Sequence, residues 1–325
     1  MGFLLLLWLN VCGCFLLADP PELGKVKWLR DLEEAQQRSI QTNKAIFILF
    51  QEVPGCMTCK NYGSNVLSHP LVVEAIETYF VPLCIYNNKS GKDASSLAKF
   101  GEPAWNNPVI RIVDHQFQDV VKRLSGNYSV FGITSQINAF LIKKGIVIPE
   151  YLRLLEEEAK ANETGKETIY MQMYCFWSGE KLYAKLKGIV STNAGYMQGN
   201  EVVEIEYDPR MIHPDEIIRY GKKHQIADKI YLKTQQKISE QILISEATIF
   251  KPDAQNKYYL YHTDYKYIPM MPIQATRSNS LLSEKQFVDH LFSPRQLCWL
   301  GESKQRDSKQ NKNLISTNIL KAWYP

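Results

Sequence analysis

The chain has 325 residues, of which 45% are hydrophobic, and its 38 basic and 34 acidic residues leave a net charge of +4. This length predicts about two domains of roughly 100–200 residues each, and the hydrophobic share is enough for each domain to form its own core. The nearly balanced charge, without a basic stripe interleaved with aromatic residues, argues against nucleic acid as a partner.

The first segment, residues 3–18, is almost wholly apolar. It is shorter than the ~20 residues that a membrane-spanning helix needs. Ala18 is followed by the polar residue Asp19, which predicts a signal peptide at 1–18, cut after Ala18. Two alternatives stay open, namely a lipid attached to Cys14 and an uncleaved membrane anchor. We therefore expect an exported protein, periplasmic or secreted, whose membrane association would be confined to this segment.

The cysteine content indicates thiol chemistry rather than a framework of structural disulfides. The chain has 7 cysteines, of which two would leave with the signal peptide. The odd number that remains leaves at least one thiol unpaired in an exported protein. A single Cys-x-x-Cys without a neighbouring histidine pair predicts no metal site, and we expect no cofactor. The remaining cysteines are Cys56, Cys59, Cys84, Cys175 and Cys298.

The first half of the chain alternates between helical and strand-like segments. A helical pattern with one apolar side is followed by a continuous apolar run, which is typical of a buried central strand. The alternation favours an α/β sheet. Cys84 lies within an apolar strand, which predicts a buried, inert thiol. We predict helices at 31–42, from Cys56 onward and across 72–78, and strands at 44–50, 80–86 and 108–114.

Residues from about Trp28 to Ile146 resemble the thioredoxin superfamily. The resemblance rests on a strand, then a Cys-x-x-Cys at the start of a helix, then a later Asn107-Pro108 that opens a strand. It implies a thioredoxin-like α/β domain, which we assign to 19–148. It also implies that Pro108 is cis and lies beside the dithiol.

By the same resemblance, Cys56 is the nucleophile and Cys59 is the resolving thiol. The partial positive charge at a helix amino terminus stabilises a thiolate and lowers its pKa. The residues 53–55 replace the tryptophan that the family usually has before the first cysteine, and Met57-Thr58 replaces the usual Gly-Pro. A static disulfide across a tight turn stays open as an alternative to redox chemistry.

A charged segment at 149–166 begins as a helix, ends in a polar loop and is assigned as a linker. The next domain is assigned to 167–300, and its order of strand, helix, strand, strand, helix indicates an α+β layered domain. An apolar, proline-rich stretch at 268–275 is expected to pack against this domain, and the polar residues 301–325 are expected to form a flexible extension. The predicted elements are strands at 167–174, 190–196 and 202–207 and helices at 176–186 and 214–224.

Residues 169–224 resemble the peptide methionine sulfoxide reductases of the A type. A cysteine followed by two aromatic residues, with a glutamate and Tyr-Asp-Pro downstream in the same order, makes the resemblance fairly specific. It implies a methionine sulfoxide reductase A-like α+β domain. The matching residues are Cys-Phe-Trp-Ser-Gly-Glu at 175–180, the turn at 187–190, Ala-Gly-Tyr at 194–196 and the strand and turn at 201–209.

The resemblance implies a reaction at Cys175. Its thiolate, at the start of a helix, would attack the sulfoxide sulfur, and Phe176 and Trp177 would contact the sulfoxide methyl group. Glu201 matches the acid that protonates the sulfoxide oxygen. The sulfenic acid that results condenses with a second thiol. Cys298, near the chain end, is a candidate for this resolving thiol, with a buried structural cysteine as the alternative.

Two features of the family are missing from the sequence. The segment between Tyr196 and Glu201 is shorter than in the family and lacks the tyrosine that binds the sulfoxide oxygen, for which Tyr196 is a candidate substitute. After His224 we find no match to the family's Asp-Gly-x-Gln-Tyr-Arg-Ser segment. Other tyrosines could substitute, the substrate could differ, or the activity could be lost.

We therefore predict an exported oxidoreductase that reduces methionine sulfoxide in oxidised proteins through Cys175. The dithiol of Cys56 and Cys59 would return Cys175 to its reduced form and would itself take electrons from an upstream thiol donor. The alternative is a thiol-disulfide oxidoreductase whose second domain binds clients without chemistry. A third possibility is an interaction protein with two degenerate domains.

Overall fold

The computed structural model of the chain describes residues 20–234, 236–305 and 312–324. The predicted signal peptide and the alternative of a lipid on Cys14 lie outside the described residues. Within the described ranges, none of the helices combines the length and the apolar character that crossing a membrane requires.

The first domain is built on a four-stranded sheet in the order β2-β1-β3-β4. Strand β1 pairs in parallel with β2 and antiparallel with β3. The predicted α/β class is confirmed, although the sequence patterns missed α4, α5 and β4. The elements are α1 (Leu32–Thr42), β1 (Ala45–Gln51), α2 (Met57–Asn65), α3 (Pro70–Tyr79), β2 (Phe80–Tyr86), α4 (Lys92–Phe100), β3 (Val109–Val113), β4 (Leu124–Ser125) and α5 (Val130–Lys143).

Strand β1 lies at the centre of this domain and is buried along its whole length. Phe47 and Leu49 pack in the cluster that includes residues of α2, α3 and α5, whereas Ile46, Ile48 and Phe50 pack with residues of α1 and α4. Successive side chains of a strand point to opposite faces. A continuous apolar run is therefore the pattern that a strand covered by helices on both faces requires.

Helix α6 (Glu150–Thr164) corrects the predicted linker at 149–166. The segment is helical up to Thr164, where the sequence suggested a polar loop from residue 162. The reason is burial, because Leu152 and Leu155 of α6 join the core of the first domain. The helix contacts α5 and also β6 (Ile189–Met197), a strand of the second domain. It is a shared structural element rather than a flexible connection.

The second domain is built on a six-stranded sheet in the order β10-β6-β7-β5-β8-β9. Its neighbouring strands are antiparallel except for β8 and β9. The sequence predicted this mixed α and β content, but it did not predict the last three strands, β8, β9 and β10. The elements are β5 (Glu167–Gln172), α7 (Phe176–Tyr183), β6 (Ile189–Met197), β7 (Asn200–Tyr207), α8 (Pro214–Lys223), β8 (Lys229–Leu232), β9 (Leu243–Glu246) and β10 (Lys251–Pro252).

The last part of the chain returns to the first domain. It forms α9 (Tyr258–Tyr261), α10 (Pro272–Ser283), α11 (Pro294–Gln305) and α12 (Ile319–Trp323). Glu74 of α3 accepts hydrogen bonds from the Ser293 hydroxyl and, at 2.9 Å, from the Arg295 N–H. Apolar residues of this part belong to the same core cluster as α3, α5 and α6, namely Leu260, Ile268, Met270, Met271, Ile273, Leu291, Phe292, Leu300, Ile315 and Ile319.

This return of the chain adds to one expectation and corrects another. The stretch 268–275 packs in the core of the first domain as well as, through α10, against β6 and α7. The flexible extension predicted from residue 301 is wrong for the described residues, because 301–305 complete α11 and 319–323 form α12. The sequence is polar on average there, but Ile315 and Ile319 are buried.

Candidate active sites

The first candidate site is the dithiol at the start of α2. Cys56 directly precedes the first helical residue in an extended conformation and is exposed, whereas Cys59 is buried. Their sulfur atoms are 3.7 Å apart, and both are free thiols. An exposed thiol with a second thiol buried behind it is the arrangement that a nucleophile and a resolving cysteine require.

The surroundings move the pKa values of the two thiols apart. The pKa of Cys56 is lowered, mainly because the Cys59 backbone N–H donates a hydrogen bond to its sulfur. Burial raises the pKa of the Cys59 thiol to about 12, and the neighbouring Cys56 sulfur adds to this effect. Since the thiolate is the reactive form, attack by Cys56 is favoured over attack by Cys59.

The loop before Cys56 is closely fitted around Cys59. The Gly55 N–H donates a 2.8 Å hydrogen bond to the carboxylate of Glu22. A Cβ atom on Gly55 would lie 2.3 Å from the Glu52 carbonyl oxygen and 2.7 Å from the Cys59 Cβ. Only glycine fits at such a close approach. This is a physical reason why no tryptophan stands directly before the nucleophile in this chain.

The loop before β3 covers the dithiol from another side. The Asn107–Pro108 peptide bond is cis, and the Cys59 thiol donates a 2.9 Å hydrogen bond to Asn107 Oδ1. Pro108 therefore follows a residue in direct contact with the dithiol. Met57, at the start of α2, is 69% exposed, and Trp105, in the loop before β3, is 82% exposed. The surface around the dithiol therefore offers apolar contacts.

Glu52 adds a third polar side chain to the dithiol. Its carboxylate and the sulfurs of Cys56 and Cys59 lie within 4.8 Å of one another, a spacing that can hold a metal ion. Thiolates and carboxylates are both zinc ligands. The sequence predicted no metal site because it has no histidine pair and no second Cys-x-x-Cys near the dithiol, and a glutamate in the preceding loop is not part of either pattern.

The second candidate site is at the start of α7. Cys175 directly precedes the first helical residue and is half-buried, so it can be reached from solvent. Glu201, near the start of β7, is also half-buried. Its carboxylate accepts a 2.9 Å hydrogen bond from the Phe176 N–H. The structure thus brings Glu201 to the residue next to Cys175, on the positive end of the helix dipole.

Aromatic rings surround this helix start. The Phe176 ring is buried and lies 5.5 Å from the Trp177 ring and, edge-on, 5.2 Å from the Tyr196 ring, measured between centroids. Phe176 is part of the domain core, whereas Tyr196 is 42% exposed. Of the predicted substrate-binding residues, Phe176 is therefore a core residue, and Trp177 and Tyr196 are more accessible.

Two residues that the sequence analysis missed complete this group. The Trp177 indole N–H donates a 3.1 Å hydrogen bond to Asp253 Oδ2. The Trp177 ring stacks on Tyr258, with centroids 4.3 Å apart. Asp253 and Tyr258 lie more than 70 residues after the Cys-Phe-Trp motif. An aspartate followed by a tyrosine, as in the family's Asp-Gly-x-Gln-Tyr-Arg-Ser segment, is the signal that could have found them.

A buried ion pair holds this late segment against α7. The Lys257 backbone N–H donates to both carboxylate oxygens of Glu180, each at 3.1 Å. Lys257 Nζ donates to the same carboxylate at 3.3 Å. The carboxylate also accepts a hydrogen bond from Asn279 Nδ2 at 3.2 Å. Burial raises the pKa of Glu180 and lowers the pKa of Lys257, and the attraction between the two groups opposes both shifts. The residue before Tyr258 is thereby fixed to the cysteine-bearing helix.

The other two cysteines lie apart from these groups. Cys84 is buried in β2, and burial raises its pKa to about 12. Cys298 is exposed on α11, and α11 is attached to α3 through an ion pair between Arg295 and Glu77. All five cysteines of the described residues are free thiols. The candidate resolving thiol Cys298 is therefore on the surface, and it is not bonded to Cys175.

Comparison with known proteins gives two similarities. A family model described as Thioredoxin-like matches residues 27–115. The peptide methionine sulfoxide reductase MsrA of Methanococcus maripaludis strain C6 is 35% identical over 72 residues, which cover 17% of this chain and 46% of that protein. MsrA 1 of Nostoc sp. is 36% identical over 61 residues, covering 14% and 37%. MsrA of Corynebacterium diphtheriae is 32% identical over 73 residues, covering 17% and 33%.

The chain spans less than half the length of these curated relatives. A solved structure of a protein named DsbH Oxidoreductase covers 38% of this chain and 89% of its own, with 16% identity and a TM-score of 0.32. Both resemblances that the sequence predicted are confirmed. The chain combines a thioredoxin-like domain in its N-terminal part with a segment similar to MsrA proteins.

Proposed function

We propose that this chain, which joins a thioredoxin-like domain to an MsrA-like segment, is an oxidoreductase that reduces methionine sulfoxide in proteins through Cys175. The observation that carries the proposal is the position of Glu201. Its carboxylate is bonded to the backbone of Phe176, next to a solvent-accessible thiol at a helix start. A nucleophile and a proton source therefore lie together beside aromatic side chains.

The proposed reaction begins with attack of the Cys175 sulfur on the sulfoxide sulfur. A bond forms between the two sulfurs, and the oxygen then moves from the substrate sulfur to the Cys175 sulfur. Cleavage of the sulfur–sulfur bond leaves a sulfenic acid on Cys175 and releases the substrate as a thioether. Glu201 supplies a proton to the oxygen as its negative charge develops. The sulfenic acid then condenses with a second thiol to give a disulfide and water.

The aromatic residues at the start of α7 would hold the substrate's methyl group. Trp177 and Tyr258 form a stacked pair, and the buried Phe176 ring lies 5.5 Å from the Trp177 ring. Flat apolar rings suit a small apolar group and exclude water around the reacting sulfur. Tyr258 also carries a hydroxyl group, and we propose that it, or Tyr196, replaces the oxygen-binding tyrosine that the sequence lacks between Tyr196 and Glu201.

The dithiol of the first domain would complete the cycle. Cys56 would attack the oxidised Cys175 or a disulfide formed from it, and Cys59 would release the product by forming the Cys56–Cys59 disulfide. Because both thiol sites belong to one chain, we propose that this exchange is intramolecular. An upstream thiol donor would then reduce the dithiol. We keep export to the periplasm or the outside of the cell as part of the proposal, with oxidised proteins as substrates.

Mass spectrometry of a peptide containing methionine sulfoxide tests the reaction. We expect the reduced full chain to remove 1 oxygen per catalytic turnover, and we expect a Cys175→Ser variant to remove none. Equal oxygen content after incubation with either protein would contradict the proposal. In that case, capture of client proteins on Cys56 of a Cys59→Ser variant would favour a thiol-disulfide oxidoreductase with a non-catalytic second domain.

A further inference from the structure

The sulfurs of the dithiol are already at the spacing of two ligands on one zinc ion. Zinc–sulfur bonds of ~2.3 Å in tetrahedral geometry put two sulfur ligands ~3.8 Å apart. The sulfur atoms of Cys56 and Cys59 are 3.7 Å apart. No backbone movement is therefore needed for both thiolates to bind the same ion.

Glu52 supplies a third ligand atom to this pair. Its carboxylate lies within 4.8 Å of both sulfurs, and the close approach of Gly55 to Glu52 and Cys59 fixes the loop that carries it. Three protein ligands and one position for water form the usual arrangement of an open zinc site. Cys56 is exposed, which gives an ion a path from solvent.

The charges also fit a cation. When both thiols are deprotonated, two sulfur anions and a carboxylate share one corner of the protein, and the repulsion between like charges at such distances is large. A divalent cation removes this repulsion and is the largest local charge in any site that it occupies.

We propose that Cys56, Cys59 and Glu52 of the reduced protein bind Zn²⁺, which is a property beyond the reductase function. Binding displaces the thiol protons to solvent, and no electrons are transferred. A disulfide between the two cysteines has no thiolates to offer, so only the reduced form binds the ion. Zinc therefore keeps the dithiol reduced and blocks its attack on other disulfides until the ion is removed.

Titration of Zn²⁺ into the reduced full chain against a chromogenic zinc chelator tests the proposal. We expect 1 bound ion per chain for a site of this kind and no binding once Cys56 and Cys59 are oxidised to a disulfide. Glu52→Gln should weaken binding at least about tenfold, since even residues behind the ligands commonly contribute 10–100-fold. Glu33→Gln, an exposed glutamate on α1, is the matched control and should leave the affinity unchanged.

Cobalt substitution gives a second measurement that reports the ligands directly. Co²⁺ bound to the reduced protein should show a sulfur-to-cobalt charge-transfer band, and Cys56→Ser should reduce this band. Cys175→Ser and Cys298→Ser should retain both the band and the zinc affinity, so failure of the reductase function does not affect this test. Equal zinc affinity of Glu52→Gln and the wild type, equal binding by the oxidised protein, or loss of binding in Cys298→Ser would overturn the proposal.

Discussion

The carboxylate of Glu201 accepts a 2.9 Å hydrogen bond from the backbone N–H of Phe176. Glu201 comes from β7 and Phe176 is the first residue of α7, so the contact joins a strand to the start of the helix that carries Cys175. Backbone N–H groups in the first turn of a helix have no partner within the helix. The contact therefore satisfies a free donor and holds the carboxyl group at the residue that follows Cys175.

Replacement of Glu201 by glutamine should reduce the rate and leave the fold intact. Glutamine can still accept the hydrogen bond from Phe176, but it cannot donate the proton that the sulfoxide oxygen needs. General acid catalysis contributes about 100-fold to 10,000-fold, and we expect kcat to fall by that order. The measurement is the initial rate of sulfoxide loss. Glu206→Gln on the same strand removes only a partly exposed ion pair with Lys166 and should have little effect.

Replacement of Tyr258 by leucine should weaken the reaction through the loss of the stack on Trp177. Aromatic pairs contribute about 0.5–1.5 kcal/mol beyond their buried area, which corresponds to a decrease of up to about tenfold in kcat/KM. Tyr267→Leu is the matched control, because Tyr267 lies beside Lys266 rather than on Trp177. Equal kcat/KM for the two variants would show that Tyr258 does not contribute to the site.

The sequence predicted the parts of the molecule that local patterns determine. The apolar run of β1, the helix start at Cys56 and the order of Cys175 and Glu201 are all visible in short windows. A strand buried on both faces is apolar at nearly every position, and β1 is apolar from residue 45 to residue 50. The cysteines at helix starts were likewise predicted at the residue where the helices begin, because a turn precedes Cys56 and a strand-like run ends at Cys175.

The rest depends on contacts between distant residues, which a short window does not contain. Asp253 and Tyr258 reach Trp177 only because β10 pairs with β6 and because Lys257 is bound to Glu180. Glu52 is a candidate metal ligand because its carboxylate lies close to the sulfurs of Cys56 and Cys59, and no sequence motif marks that proximity. The burial of Ile319 against the first domain also could not be predicted from a segment that is polar on average.

The ion pair between Glu180 and Lys257 should be important for stability. Lys257→Met leaves the Glu180 carboxyl group buried without its charged partner, and breaking such a pair costs about 3–5 kcal/mol. The measurement is the free energy of unfolding in urea. Lys185→Met, which removes a surface pair with Glu284, should cost less than about 1 kcal/mol.

A double-variant cycle separates the ion pair from the loss of packing. Glu180→Gln combined with Lys257→Met removes both charges. The glutamine can still accept a hydrogen bond from the backbone N–H of residue 257. We expect the double variant to be more stable than Lys257→Met alone. A double variant that loses the sum of the two single effects would mean that the pair has no coupling energy.

The two thiols of the dithiol should differ in their reaction with iodoacetamide. Cys56 is exposed and has a lowered pKa, whereas Cys59 is buried and its pKa is raised to about 12. We expect peptide mapping of the reduced, native protein at neutral pH to show alkylation of Cys56 well before Cys59. Unfolding in urea should abolish the difference. Equal rates in the native protein would contradict the assignment of Cys56 as the nucleophile.

Glu158 should make the stability of the protein depend on pH. It is buried in α6 and accepts a 2.8 Å hydrogen bond from the Ile273 N–H of α10. Burial raises its pKa from 4.5 to about 7, with the Ile273 hydrogen bond opposing the shift. Between these values the folded protein holds a proton that the unfolded chain has released, so stability must fall as pH rises through this window.

The size of this effect is at most about 3 kcal/mol, since one pKa unit corresponds to about 1.4 kcal/mol. Glu158→Gln has no carboxyl group to ionise and can keep the hydrogen bond to Ile273, so its urea-unfolding free energy should decrease less between pH 5 and 8. Glu150→Gln on the same helix, where the side chain is 38% exposed, should retain the wild-type slope. Because Glu158 and Ile273 lie where α6 meets α10, a slope unchanged by Glu158→Gln would mean that this carboxyl group is solvated and that the helices separate more readily than their packing implies.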